Sequence, residues 1–173
     1  MYENIKNHIR DIKDFPKEGI VFKDITPALG DANCLEEMID AFAERFKDKK
    51  IDKIAVIESR GFLFGAPLAY KLGCGVVLLR KPGKLPYESI KETYDLEYGS
   101  STLEMHIDAV KEGERVLVID DLLATGGTAA AACKLLSKLG AEIVANAFLV
   151  ELTFCEGRAK LEQYAPVETI IQY

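Results

Sequence analysis

Apolar positions along this 173-residue chain switch repeatedly between helical and strand spacing. Ile5, Ile9 and Ile12 recur at helical intervals, which predicts a short amphipathic helix over residues Asn4–Asp14. Leu35, Met38, Ile39, Phe42 and Phe46 form a longer stripe of the same period, with Asp31 or Asn33 available to cap it. Ile54–Ile57 is a short continuous apolar run, the mark of a strand covered on both sides, and the polar turn Glu58–Gly61 follows it. A helix through Ala66 to Leu72 is predicted to end at Gly73. Val76–Leu79 and Val116–Ile119 read as two further strands. A helix with Ala132, Leu135, Leu136 and Leu139 on one face follows the second of these and stops at Gly140. Ile143–Val150 closes the series as another strand.

Strand, helix and strand in this alternation predict an α/β fold with a mostly parallel sheet flanked by helices. Ligands of such sheets bind beyond the carboxyl ends of the strands. Two polar, glycine-bearing turns are expected there: Glu-Ser-Arg-Gly-Phe from Glu58, and Asp-Asp-Leu-Leu-Ala-Thr-Gly-Gly-Thr from Asp120. The stretch from Lys81 to Ser101 lacks a long apolar run and is rich in Lys, Glu, Gly and Tyr, so a mobile hairpin or lid is expected.

Composition narrows the class. The chain is 49% hydrophobic and 29% charged, with a formal net charge of −6, which argues against a sequence-independent nucleic-acid binder. No apolar run approaches the roughly 20 residues of a membrane span. The N-terminal residues are polar and mixed in charge, unlike a secretory leader, so a cytoplasmic protein is expected. Cys34, Cys74, Cys133 and Cys155 form no C-x-x-C pair and fit no zinc spacing; free, mostly buried thiols are expected. His8 and His106 are far apart, and His106 falls on the polar face of a predicted strand; neither is given a catalytic role.

The turn from Asp120 carries the clearest chemistry. Ala124, Thr125, Gly126, Gly127 and Thr128 are small residues between a strand and a helix. Such a loop lets the backbone approach an anion, and the unpaired N–H groups of the first helical turn point at it. From residues alone the alternative is a plain glycine turn. It is neither a Walker A loop nor G-x-G-x-x-G. Two carboxylates facing a phosphate would repel it, so Asp120 and Asp121 belong to another part of the ligand. Vicinal ribose hydroxyls are donors that carboxylates accept, and negative charge beneath the sugar would stabilise a cationic ring. The alternative, a metal site of an NTPase, lacks its Walker A partner.

The run Val116–Thr128 resembles the 5-phosphoribosyl-1-pyrophosphate (PRPP) binding motif of type I phosphoribosyltransferases. FPKEGIVFKDITP, IESRGFLFG, LLRKPGKLP, YDLEYG and LVELT are similar to segments of the adenine-specific members of that family, and the resemblance spans nearly the whole chain. It implies the type I phosphoribosyltransferase fold as a single domain over residues 1–173, with a small N-terminal hood near 1–30 and a flexible catalytic loop near 81–101. It also implies transfer of the phosphoribosyl group from PRPP to adenine, giving AMP and pyrophosphate, with Mg2+ bound mainly through PRPP, in a homodimer.

On that resemblance the loop Ala124–Thr128 takes the 5′-phosphate. Ser59 and Arg60 take pyrophosphate, Arg60 as a two-pronged donor; the other fate open to Arg60 is a surface salt bridge. Arg80, Lys81 and Lys84 are a charge run by composition, and pyrophosphate contacts by resemblance. Val21, Phe22 and Lys23 are expected against adenine, with Phe22 also able to serve as core. Lys23 stands where the family often has arginine. Glu97 is implied in proton exchange with the base; without the resemblance it reads as a solvated glutamate. Few protein ligands are expected for magnesium, and none is nominated. Rival readings are transfer to guanine, xanthine or orotate, a PRPP-sensing regulator, and an NTPase with an unusual phosphate loop.

Overall fold

The computed structural model describes residues 2–95 and 99–173. The chain opens with α1 (Glu3–Asn7) and an antiparallel pair, β1 (Arg10–Lys13) and β2 (Val21–Asp24). The single helix expected over Asn4–Asp14 is therefore wrong beyond its first half. Ile5 is fully buried and holds the helical turn. From Arg10 the chain instead meets β2, where Arg10 pairs with Asp24 at 2.5 Å and Lys23 with Asp11 at 2.7 Å. Pairing with a distant segment has overridden the local period.

After α2 (Thr26–Gly30), α3 (Ala32–Phe46) follows the expected stripe, with Met38, Ile39, Phe42 and Phe46 buried. Its cap is Asp31, whose carboxylate accepts from the Cys34 N–H at 2.9 Å. Then come β3 (Lys53–Ile57), α4 (Gly61–Leu72) and β4 (Gly75–Leu79). Helix α4 ends at Gly73, whose φ of +70° is the left-handed stop expected. It begins five residues before the predicted Ala66. Gly65 is the reason it can lie so close to the sheet: a Cβ there would stand 1.9 Å from Val56 Cγ1.

A second antiparallel pair, β5 (Ser89–Asp95) and β6 (Ser100–His106), occupies much of the stretch expected to be a lid. His106 falls on the more exposed side of β6, opposite buried Leu103 and Met105. The chain continues through β7 (Arg115–Leu123), α5 (Gly127–Lys138), β8 (Glu142–Glu151), α6 (Gly157–Leu161) and β9 (Val167–Gln172).

Among the described residues, the central sheet runs β4-β3-β7-β8-β9, and all four pairings are parallel. Alternate residues of β3 and β7 face different layers. Ile54, Val56, Leu117 and Ile119 meet α3 and α4. Ala55, Ile57, Val116 and Val118 meet α5 and the β5–β6 hairpin. Both faces are covered, which is why these strands read as unbroken apolar runs. The order places β3 and β7 side by side, with the next strand after β3 on one side and the next after β7 on the other. The carboxyl ends of β3 and β7 thus flank the topological switch point, where a ligand crevice opens in sheets of this kind.

Candidate active site

Three adjoining cavities lie at that edge. The first, about 340 Å³, is lined by Glu58, Ser59, Arg60, Lys81, Asp120 and Asp121, among others. The second, about 260 Å³, shares Arg60, Asp120, Asp121 and Thr128 with it and takes in the whole loop Ala124–Thr128. The third, about 780 Å³, shares Ala124 and Thr125 with the second and runs under the β1–β2 hairpin to Val21, Phe22 and Lys23.

The two turns at the switch point meet through Arg60 and Asp121, which form an ion pair. Asp121 is buried, whereas the Arg60 side chain is 47% exposed. Burial works against the Arg60 charge, but the Asp121 hydrogen bond and the charges of Asp121, Asp120 and Asp24 outweigh it. Asp120 has no such partner. Burial, and then the adjacent Asp121 charge, push its carboxyl well above the usual carboxylate range. The Asp121 N–H, 2.9 Å from Asp120 Oδ1, and the Arg60 charge only partly oppose this. Strand β7 extends four residues beyond the predicted Ile119, so both aspartates lie in the strand and inherit its rigidity. Gly61 lets α4 start against them, since a Cβ there would lie 2.9 Å from Ile119 O and 3.1 Å from Asp120 Oδ1. The Glu58–Ser59 peptide is cis.

The loop Ala124–Thr128 leads into α5 with Gly126 at φ +75°, a left-handed conformation that favours glycine. The Thr128 hydroxyl donates to the Tyr94 hydroxyl of β5 at 3.2 Å. No basic side chain lines this cavity apart from Arg60 at its rim. Its donors are backbone amides and threonine hydroxyls, suited to a compact anion.

In the third cavity Phe22 stacks edge-on with Phe15, ring centroids 5.3 Å apart, and the Arg60 guanidinium stands 5.9 Å from its ring. Phe22 thus contacts the aromatic and cationic groups of the site as well as the hairpin. Lys23 is tied to Asp11, and its ammonium lies 4.0 Å from the Tyr173 ring centroid, so its side chain serves the hairpin's position.

Among the expected basic residues, Lys81 lines the first cavity. Arg80 and Lys84 line none of the three. Arg80 donates to Glu58 at 3.2 Å and to the Lys84 carbonyl at 3.4 Å. Glu58 also accepts the Lys81 N–H at 2.9 Å. That bond, ahead of the Arg80 contact, holds the Glu58 carboxylate below its ordinary range despite burial. Glu97 lies outside the described residues. Sequence reasoning passed over Glu58, Tyr94 and Ser101 in the first cavity, and Leu122, Leu152, Phe154 and Tyr173 in the third. Glu58, Tyr94, Leu122 and Leu152 fall inside quoted segments without being singled out, and Ser101, Phe154 and Tyr173 fall outside them; all converge from separate strands and turns. None of the four cysteines forms a disulfide; Cys34 and Cys133 are fully buried, Cys74 and Cys155 partly so. Among the described residues, no three His, Cys, Asp or Glu side chains group as a metal cage would require, and no helix is long and apolar enough to cross a membrane.

A crevice at the switch point with an anion loop on one turn and a guanidinium on the other defines a class that sequence comparison also reaches. The family profile for the phosphoribosyl transferase domain matches residues 29–170. An adenine phosphoribosyltransferase from Anaeromyxobacter sp. strain Fw109-5 is 60% identical over 159 residues, covering 92% of this chain and 90% of that protein. The crystal structure of adenine phosphoribosyltransferase from Thermoanaerobacter pseudethanolicus superposes with a TM-score of 0.96 at 53% identity, over the whole of both chains. That of the Saccharomyces cerevisiae adenine phosphoribosyltransferase, complexed with D-2,5-dideoxy-2,5-imino-altritol 1,6-bisphosphate and adenine, has a TM-score of 0.92 at 44% identity, covering 98% of this chain and 97% of that one. The chain belongs to the phosphoribosyltransferase family, and within it to the adenine phosphoribosyltransferases.

Proposed function

We propose that this site transfers the 5-phosphoribosyl group of PRPP to N9 of adenine, releasing AMP and pyrophosphate. The observation that carries the reading is the joining of three cavities of different chemistry: one of mixed charge that holds Arg60 and Lys81, one amide-lined, and one apolar. The loop Ala124–Thr128 takes the 5′-phosphate. Ser59, Arg60 and Lys81 take pyrophosphate, with Arg80 and Lys84 acting from the rim. Val21, Phe22 and Lys23 face adenine. The yeast enzyme, solved in complex with a bisphosphate and adenine together, supports the pairing of an anion site with a base site.

In the unliganded site the Arg60–Asp121 pair neutralises both partners. Pyrophosphate, with more negative charge, draws the guanidinium away as a two-pronged donor. Asp121 and Asp120 are then left to accept from the ribose hydroxyls and to stabilise positive charge as the bond from C1′ to pyrophosphate breaks. Glu97 exchanges a proton with the purine as N9 bonds to C1′. Closure of the segment near 81–101 excludes water from the ribosyl cation.

Magnesium fits this site as a guest of the substrate, because Asp120 and Asp121 are hard oxygen donors yet too few for a protein cage, and Mg2+ keeps waters and binds through phosphates. When bound it offsets charge on the departing pyrophosphate. The working form is a cytoplasmic homodimer. Cysteines without disulfides suit a reducing compartment. The edge strand β4 exposes Val76 and Leu78, and α4 exposes Leu63 and Tyr70, the apolar area a second copy would cover.

Incubation with PRPP, Mg2+ and a panel of nucleobases, followed by product analysis, tests the reading. AMP and pyrophosphate from adenine are expected, with guanine, xanthine and orotate turned over far more slowly. Preferential turnover of another base, or ATP hydrolysis without base transfer, would overturn it.

A further inference from the structure

The 5′-phosphate loop has a second wall, built from a segment about thirty residues further along the chain. Gly157, the first residue of α6, is buried directly behind it. A Cβ at Gly157 would stand 2.0 Å from the Ala124 carbonyl oxygen and 2.9 Å from the Gly126 nitrogen. The contact is reciprocal, because a Cβ at Gly126 would stand 2.7 Å from the Gly157 carbonyl oxygen. Two stretches of bare backbone therefore touch, and neither tolerates a side chain.

The next residue locks this contact in place. Arg158 grips the Glu151 carboxylate with two bonds, Nε to Oε1 at 2.9 Å and Nη2 to Oε2 at 2.6 Å. It also donates to the Val167 carbonyl at 2.8 Å. Glu151 ends β8, is only 3% exposed, and accepts further from Thr169 at 3.0 Å and Gln172 at 2.9 Å. Such a two-pronged pair among satisfied partners fixes orientation as well as distance. Neither Gly157 nor Arg158 lines any of the three cavities.

We infer that Gly157 and Arg158 are positioning residues for the 5′-phosphate. They act through the backbone of Ala124–Gly126, which they hold at the spacing at which its amides converge on the anion. The inference rests on the proposed role of that loop. A loop of small residues does little to fix its own shape, because it has little side-chain surface to pack. The Arg158–Glu151 pair supplies that rigidity from the end of the sheet.

The test is titration of the purified protein with ribose 5-phosphate and, separately, with magnesium pyrophosphate, alongside steady-state KM values for PRPP and adenine. For Gly157→Ala the intruding methyl must push the loop, and ribose 5-phosphate affinity should fall about tenfold or more. Pyrophosphate affinity and the KM for adenine should stay as in the wild type. Arg158→Lys keeps the charge but loses the fork and should show the same split, smaller, at a few-fold. It decides the matter if the alanine variant does not fold. Unchanged ribose 5-phosphate affinity in a folded variant overturns the inference. So do equal losses for ribose 5-phosphate and pyrophosphate, which would mean general loosening. A wild-type protein that binds no ribose 5-phosphate removes the phosphate-loop reading itself, a result distinct from a wild type that binds and a variant that binds equally.

Discussion

The turn that leaves β3 and the turn that leaves β7 are built alike and offer an anion different things. Each follows a buried parallel strand and opens a helix at a glycine, Gly61 in one and Gly127 in the other. The first presents a permanent charge on a side chain: Arg60, half-exposed and held by Asp121. The second presents backbone amides and two threonine hydroxyls, with its aspartates set back in the strand. The glycines differ accordingly. In the first turn they let a helix lie flat on the sheet, as the 1.9 Å approach at Gly65 requires. In the second, Gly126 bends the chain into the left-handed region and accepts a wall from α6. A group that must leave suits the side chain that can move with it. A group that stays attached to the sugar throughout suits rigid amides.

That contrast can be broken at three points, taken from the largest effect down. Asp120→Asn combined with Asp121→Asn should lower kcat/KM at least about 100-fold, since in the proposed mechanism both carboxylates act where positive charge develops. Circular dichroism should show the fold retained. Near-normal turnover in the folded double variant would confine the chemistry to the anion sites. Arg60→Lys keeps a charge but loses the fork, so the KM for PRPP should rise about tenfold and pyrophosphate inhibition should weaken in step. Unaltered constants would mean that charge alone matters and that the two turns differ less than their donors suggest.

The smallest effect is on stability. Asp120 has its carboxyl raised, by burial first and the Asp121 charge next, so the folded protein binds its proton more tightly than the unfolded chain does. Below the ordinary carboxylate range both states hold the proton and the site costs nothing. As pH rises through the folded-state value the carboxylate must ionise in place, and stability falls. Asp120→Asn keeps the acceptor for the Asp121 N–H and removes that cost. Its melting temperature should exceed the wild type's by a few degrees near neutral pH, the scale on which about 1 kcal/mol acts in a domain of this size. The gain should shrink as the pH is lowered toward 4. A gain that is constant with pH would show that ionisation of Asp120 is not its source.

Legibility followed how local each signal was. The α3 stripe, its Asp31 cap and the Gly73 stop were readable because period and capping act within a few residues. The β1 strand was not, because its ion pairs to β2 come from more than ten residues away and its own isoleucines mimic a helix. Nor was β9, for which no strand was expected, although it forms an edge of the sheet. In the site, both turns at the switch point were visible as departures from apolar runs. The third cavity was visible at Val21, Phe22 and Lys23, and at Ala124 and Thr125 where it meets the second. Among its other walls, Leu122, Leu152, Phe154 and Tyr173 read as ordinary apolar positions until folding gathers them.

By itself the sequence determined the alternation of covered strands and helices, and a small-residue loop of the kind suited to an anion. Both are consequences of spacing along one chain. Tertiary structure alone decided that Arg60 faces Asp121, that burial raises the Asp120 carboxyl, and that Gly157 stands behind Ala124. Those depend on distances between residues far apart in the chain, and desolvation and close approach have no value until the sheet order brings them together.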